Sequence, residues 1–124
     1  MLRVDFTDSF APVMADTTFR IILIFVIINK WDTALIDVEA AFLNGKLFET
    51  IYMKTPEGMN IPKTKGLLLR QAIYGLVQAA RQWWKTFSEF LISDLNFSES
   101  PADTCLLTRT SDKGQVLFGL YVDD

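Results

Sequence analysis

The chain contains no histidine and only one cysteine, Cys105. Without imidazole, Ser-His-Asp and Cys-His nucleophilic catalysis, histidine zinc sites and histidine proton shuttles are excluded. A lone thiol can build neither an internal disulfide nor a thiolate metal cluster, which fits a reducing compartment. Its neighbours Leu106 and Leu107 point to a buried, inert thiol. Long apolar runs are also missing: Ile21 to Ile28 is the longest, far short of the ~20 residues that cross a bilayer. Arg3, Asp5 and Asp8 ahead of it do not make a signal peptide, and no small-residue cleavage site follows. The expectation is an intracellular, cytoplasmic chain with no membrane partner, in which the sequon Asn96-Phe97-Ser98 is idle. Basic charge is short as well. Twelve Lys and Arg face fifteen Asp and Glu, a formal charge of −3, whereas a freestanding nucleic-acid binder carries a basic footprint. A subdomain that gathers acids around metal while neighbouring domains grip phosphates remains open.

Half of the 124 residues are hydrophobic, with ten Phe and three Trp, so the chain has core-forming material. No internal repeat, low-complexity tract or linker divides it, and residues 1–124 read as a single, incomplete domain. The acids are distributed in a telling way. Tyr121-Val122-Asp123-Asp124 sets two adjacent carboxylates at the end of an apolar run, and Asp37 closes another short apolar stretch, Leu35-Ile36-Asp37. Three converging carboxylates repel one another, by about 1 kcal/mol per pair at 4 Å in water and about 4 near a protein surface. Divalent cations relieve that repulsion, and a pair of them roughly 3.5–4 Å apart clamps attacking and leaving oxygens in phosphoryl transfer. The pattern therefore points to nucleotidyl transfer, with Asp37, Asp123 and Asp124 as metal-binding and catalytic residues.

Local patterns give a mixed α+β reading. Asp16-Thr17-Thr18 is a helix start signal, the β-branched content of Ile21–Ile28 favours a strand, and the length of Phe19–Trp31 decides for a helix. Short strands are expected at Thr33–Val38, Ile51–Lys54 and Leu67–Arg70, with a turn at Asn44-Gly45 and a loop from Pro56 to Gly66. Ala80, Trp84, Phe87, Leu91 and Leu95 recur at spacings of four, three, four and four, with Trp83 and Phe90 widening the stripe. Arg81, Gln82, Lys85, Ser88, Glu89 and Asp94 take the other side, so this is an amphipathic helix whose aromatics are core. Asn96 to Asp103 reads as a turn region, and strands Thr104–Thr108 and Gln115–Val122 flank a hairpin loop at Asp112-Lys113-Gly114.

Seven blocks occur in the order found in the copia-type reverse transcriptases of LTR retrotransposons, and the chain resembles that family along nearly its whole length. They are Ser9-Phe10-Ala11-Pro12-Val13, Thr17-Thr18-Phe19-Arg20, Asp37-Val38-Glu39-Ala40-Ala41-Phe42-Leu43-Asn44-Gly45, Ile51-Tyr52-Met53-Lys54-Thr55-Pro56-Glu57-Gly58, Tyr74-Gly75-Leu76-Val77-Gln78-Ala79-Ala80-Arg81 with Trp83, Ser100-Pro101-Ala102-Asp103-Thr104-Cys105-Leu106, and Tyr121-Val122-Asp123-Asp124. A tyrosine-x-Asp-Asp tetrad alone is common. Seven blocks in order are specific.

The resemblance implies an α+β fold, a partial right-hand polymerase palm and fingers, with a small antiparallel sheet packed by two main helices. It implies template-directed DNA synthesis with two Mg²⁺ (or Mn²⁺) ions, on an RNA or DNA template–primer with deoxynucleoside triphosphates. Further partners would be the remainder of a Pol polyprotein: thumb, RNase H and integrase. Asp37 and Asp123 would hold the metal that accompanies the triphosphate, with the Val38 carbonyl assisting, and Asp124 the metal at the primer 3′-hydroxyl. Phe42 would lie under the sugar and exclude a 2′-hydroxyl. Gln78 would touch the nucleotide, unless it caps the helix from Ala79. Tyr121 and Val122 would pack beside the primer end. Departures from the family are Val77 and Ala80 where Lys and Pro are usual, and Glu39 where Lys is common. The chain reads as truncated at the Tyr121–Asp124 tetrad and, taken alone, as inactive. Two alternatives stay open: a degenerate, non-catalytic remnant that serves at most as a protein-interaction module, and a metal-dependent nuclease or phosphatase using the same acids.

Overall fold

The computed structural model describes residues 10–122. In chain order these form helix α1 (Asp16–Asn29), a 3₁₀ turn (Ala41–Asn44), strands β1 (Tyr52–Lys54) and β2 (Gly66–Leu68), helix α2 (Ala79–Ser93), and strands β3 (Ser98–Ser100), β4 (Asp103–Ser111) and β5 (Gly114–Gly119). The expected α+β mixture is present. Its strands, however, make two antiparallel sheets: a β1–β2 ribbon and a three-stranded sheet in the order β3-β4-β5.

The larger sheet carries the core. Strand alternation sends Cys105 and Leu107 of β4 to one face, and the register pairs Leu107 with Phe118. Helix α2 covers that face: Leu91, Phe97, Leu107 and Leu120 form the buried cluster, with Trp84, Phe87 and Phe118 packed against it. The aromatic stripe read from the sequence is thus a packing face, and Phe87 lies 6.0 Å from Phe118, centroid to centroid. Gln82 and Ser88 correct the reading of the helix's other side, because both are buried. Ser88 satisfies its hydroxyl by donating to the Trp84 carbonyl at 2.8 Å, one turn back.

Helix α1 lies over the opposite face of the sheet. Thr18, Ile21, Ile22 and Phe25 line a cavity of about 290 Å³ together with Leu106 and Leu117. The helix lacks a side-chain cap of its own, since Ala15 occupies the N-cap position. Asp103 supplies one from the start of β4, accepting from the Ala15 N–H at 3.0 Å and the Cys105 N–H at 2.9 Å. A helix N-terminus favours an anion there. Burial pushes the Asp103 carboxyl up, but hydrogen bonds from the Ala15 N–H, the Thr18 hydroxyl and the Cys105 N–H outweigh it and hold the group below its ordinary value of 3.8. At its other end α1 stops on Lys30, which adopts the left-handed conformation (φ 52°).

One expectation fails, and another holds for a different reason. Thr33–Val38 forms no strand, and Leu35 is fully exposed. A strand needs a neighbour to satisfy its backbone, and none of the described strands pairs with this segment. At Asn44-Gly45 neither residue adopts positive φ; Gly45 sits at −69° as the cap of the 3₁₀ turn, and Ala40 before it carries the left-handed conformation instead. The glycine suits a close approach: a Cβ there would lie 3.2 Å from both the Phe42 carbonyl oxygen and the Trp83 nitrogen, a tight contact. Smaller shifts occur elsewhere. A short β3 falls inside the expected turn region, and β4 runs to Ser111.

Because the Asp103 carboxylate is stabilised in the fold, its contribution is present at neutral pH and is lost as pH falls below the ordinary carboxylate range. Asp103→Asn is expected to cost on the order of 1 kcal/mol at pH 7, and urea unfolding should show the gap between the two proteins closing in acid.

Candidate active site

Asp37 lies in the irregular segment between α1 and the 3₁₀ turn, with an exposed side chain. Val38 beside it is half-buried. The chain reverses at Ala40, whose φ of 50° and ψ of 42° are left-handed, a conformation that costs an L-residue roughly 1–2 kcal/mol. Strain of this kind collects at functional sites, and this one falls between the candidate acid and Phe42. The turn that follows is seated on α2: the Lys46 N–H donates to the Thr86 hydroxyl at 3.0 Å, and Lys85 lies over the Phe48 ring at 4.1 Å.

Phe42 is half-buried, and its ring packs against Tyr74 with centroids 5.0 Å apart and planes inclined by 43°. The structure therefore joins the Asp37 and Tyr74 sequence blocks in space. Two backbone links fix them: the Ala72 N–H donates to the Gly45 carbonyl at 3.0 Å, and Lys46 bridges Gln71. Gln78 lies within the second block. It is 6% exposed and makes no side-chain capping bond, so the capping role does not occur. Arg81 donates to the Phe10 carbonyl at 3.2 Å.

On the sheet, the pairing of β4 and β5 continues through the Leu120 N–H, which donates to the Cys105 carbonyl at 2.7 Å. Tyr121 is exposed and Val122 half-buried just beyond it. Asp123 and Asp124 lie outside the described residues, so the expected meeting of three carboxylates does as well. Among the described residues, no three His, Cys, Asp or Glu side chains gather into a metal-binding group. The one candidate ligand among the described residues, Asp37, offers a carboxylate, the ligand type that suits a hard cation such as Mg²⁺ or Mn²⁺.

The thiol takes no part. Cys105 has no exposed surface. Burial, with Asp103 and Glu99 nearby adding negative charge, pushes its pKa up to about 11, while a contact from the Trp84 side chain opposes this weakly.

Comparison with known proteins decides the family. The family of reverse transcriptases (RNA-dependent DNA polymerases) matches residues 1–124. The chain belongs to this family. It is 36% identical over 124 residues to the Pol polyprotein of transposon TNT 1-94 from Nicotiana tabacum, covering 98% of this chain and 9% of that protein. Over 123 residues it is 36% and 34% identical to the polyproteins of transposons RE1 and RE2 from Arabidopsis thaliana, covering 97% of this chain and 8% of each. These relatives are copia-type retrotransposon polyproteins, and this reverse transcriptase segment spans less than a tenth of their length. No solved structure matches it significantly.

The Phe42–Tyr74 contact and the left-handed Ala40 were not read from the sequence. Both lie inside the recognised blocks, but a ring contact between residues 42 and 74 needs the fold to become visible. For the thiol, the expected outcome is no reaction of the native chain with a disulfide reagent at pH 8, and one equivalent on addition of denaturant. Fast labelling without denaturant would contradict the burial of Cys105.

Proposed function

We propose that this chain supplies part of the palm and fingers of a copia-type reverse transcriptase, which copies an RNA or DNA template by two-metal nucleotidyl transfer. The observation that carries this reading is the family match along all 124 residues; the motif resemblance assigns Asp37 and the Asp123-Asp124 pair to the family's metal-binding acids as part of the proposal. In this reading Asp37 and Asp123 hold the nucleotide's metal, with the Val38 carbonyl, and Asp124 holds the metal at the primer end. Bound Mg²⁺ would neutralise charge on the triphosphate. The chain's own residues position: Phe42 faces the sugar, Gln78 contributes once exposed, and Tyr121 and Val122 flank the primer. Positioning and charge neutralisation carry most of the barrier reduction in phosphoryl transfer.

The partners in this proposal are a template–primer duplex, deoxynucleoside triphosphates and the remainder of the Pol polyprotein. Support for the last comes from α1. Its outward positions Phe19, Leu23, Ile24, Ile27 and Ile28 are all exposed, Ile27 to 75%. A helix apolar all round is ordinarily buried, and a patch of this kind marks an interaction surface. The same surface supports a second reading, a remnant that retains protein contacts and has lost catalysis.

Metal titration separates the two. A competent site is expected to bind Mn²⁺ and to lose that binding in Asp37→Ala; absence of binding in the unaltered chain selects the remnant. For the 124-residue chain alone, primer-extension assays with Mg²⁺ or Mn²⁺ are expected to show no templated incorporation. A net charge of −3 gives it little electrostatic hold on a duplex, whose binding is dominated by phosphate neutralisation. Extended primers in that assay would refute this.

A further inference from the structure

Phe42 stands on a four-residue 3₁₀ turn, an element too short to fix a ring by its own hydrogen bonds. A flat side chain discriminates between sugars only if it cannot swing aside. The Tyr74 ring lies against it, 5.0 Å away and inclined by 43°, in the range of favourable aromatic pairs. Tyr74 is itself 58% exposed, so it is not there to fill the core. Its own position is set by the backbone. The Gly75 that follows has φ +91°, a conformation L side chains rarely adopt, and the Leu76 N–H closes the turn onto the Ile73 carbonyl at 3.2 Å. Upstream, the Ala72–Gly45 hydrogen bond and the Lys46–Gln71 bridge lock the Tyr74 segment to the Phe42 segment.

We propose that Tyr74 is a positioning residue for sugar selection: it holds the Phe42 ring in place, and the preference for deoxynucleotides depends on it without direct contact between Tyr74 and the nucleotide. This rests on the reading of Phe42 as the sugar-facing residue. A ring contact of this strength corresponds to an effect on the order of 2- to 10-fold.

The test is the ratio of affinities of the 124-residue chain for dATP and ATP in the presence of Mn²⁺, followed by NMR titration, with thermal unfolding as a folding control. The unaltered chain is expected to favour dATP. Tyr74→Ala and Tyr74→Leu are each expected to narrow that preference 2- to 10-fold, and Tyr74→Phe to retain it because the ring remains. Phe42→Ala should narrow it too, with no further loss in the double variant. Retention of the full preference in folded Tyr74→Ala, alongside its loss in Phe42→Ala, overturns the role of Tyr74. An unchanged preference in Phe42→Ala overturns the sugar-facing reading of Phe42, and the role of Tyr74 with it. Failure of the unaltered chain to bind either nucleotide overturns the nucleotide site itself.

Discussion

Helix α2 meets the three-stranded sheet through Trp84, Phe87 and Leu91, and Leu107 of β4 and Leu120 just beyond β5 answer from the other side. Large apolar side chains moved fully out of water contribute about 1.5–3 kcal/mol each, and Leu91, Phe97, Leu107 and Leu120 form the buried cluster among the described residues. The first turns of α2 then serve as a platform. Trp83 and Thr86 receive the 3₁₀ turn that carries Phe42, while the far end of the helix holds the sheet from which Tyr121 and Val122 run out. One helix thus links the two halves of the candidate site.

The other face of the sheet is held differently. There the contact is polar and local, a carboxylate from β4 capping α1, with an apolar cavity of about 290 Å³ beside it. A single acid in this position does two jobs, completing the helix terminus and fixing where the helix begins relative to β4. Because Asp103 also accepts from the Cys105 N–H, it anchors the same stretch of β4 whose Cys105 carbonyl receives Leu120. The geometry of the β4–β5 exit is therefore tied to α1 through one side chain.

Helix α1 leaves apolar residues exposed, and β3 and β5 are the edges of the larger sheet. Edges and apolar helix faces are ready-made association surfaces. The formal charge of −3 gives the chain itself little attraction for phosphate.

Much of the fold was legible in the sequence for a physical reason: helical and strand periods are local. The amphipathic spacing from Ala80 to Leu95, the length of Phe19–Trp31, the β4–β5 hairpin and the burial of Cys105 all follow from residues close together in the chain, and the ordered motif blocks determined the family. Long-range pairing was not legible. Whether Thr33–Val38 becomes a strand depends on a neighbour, not on its own residues, and whether Gly45 serves a turn or a close approach depends on where Trp83 arrives. The burial of Gln78 and Gln82, the capping of α1 by Asp103 and the meeting of Phe42 with Tyr74 were decided only by the tertiary structure. Each joins groups whose separation along the chain carries no signal until packing brings them within a few ångströms.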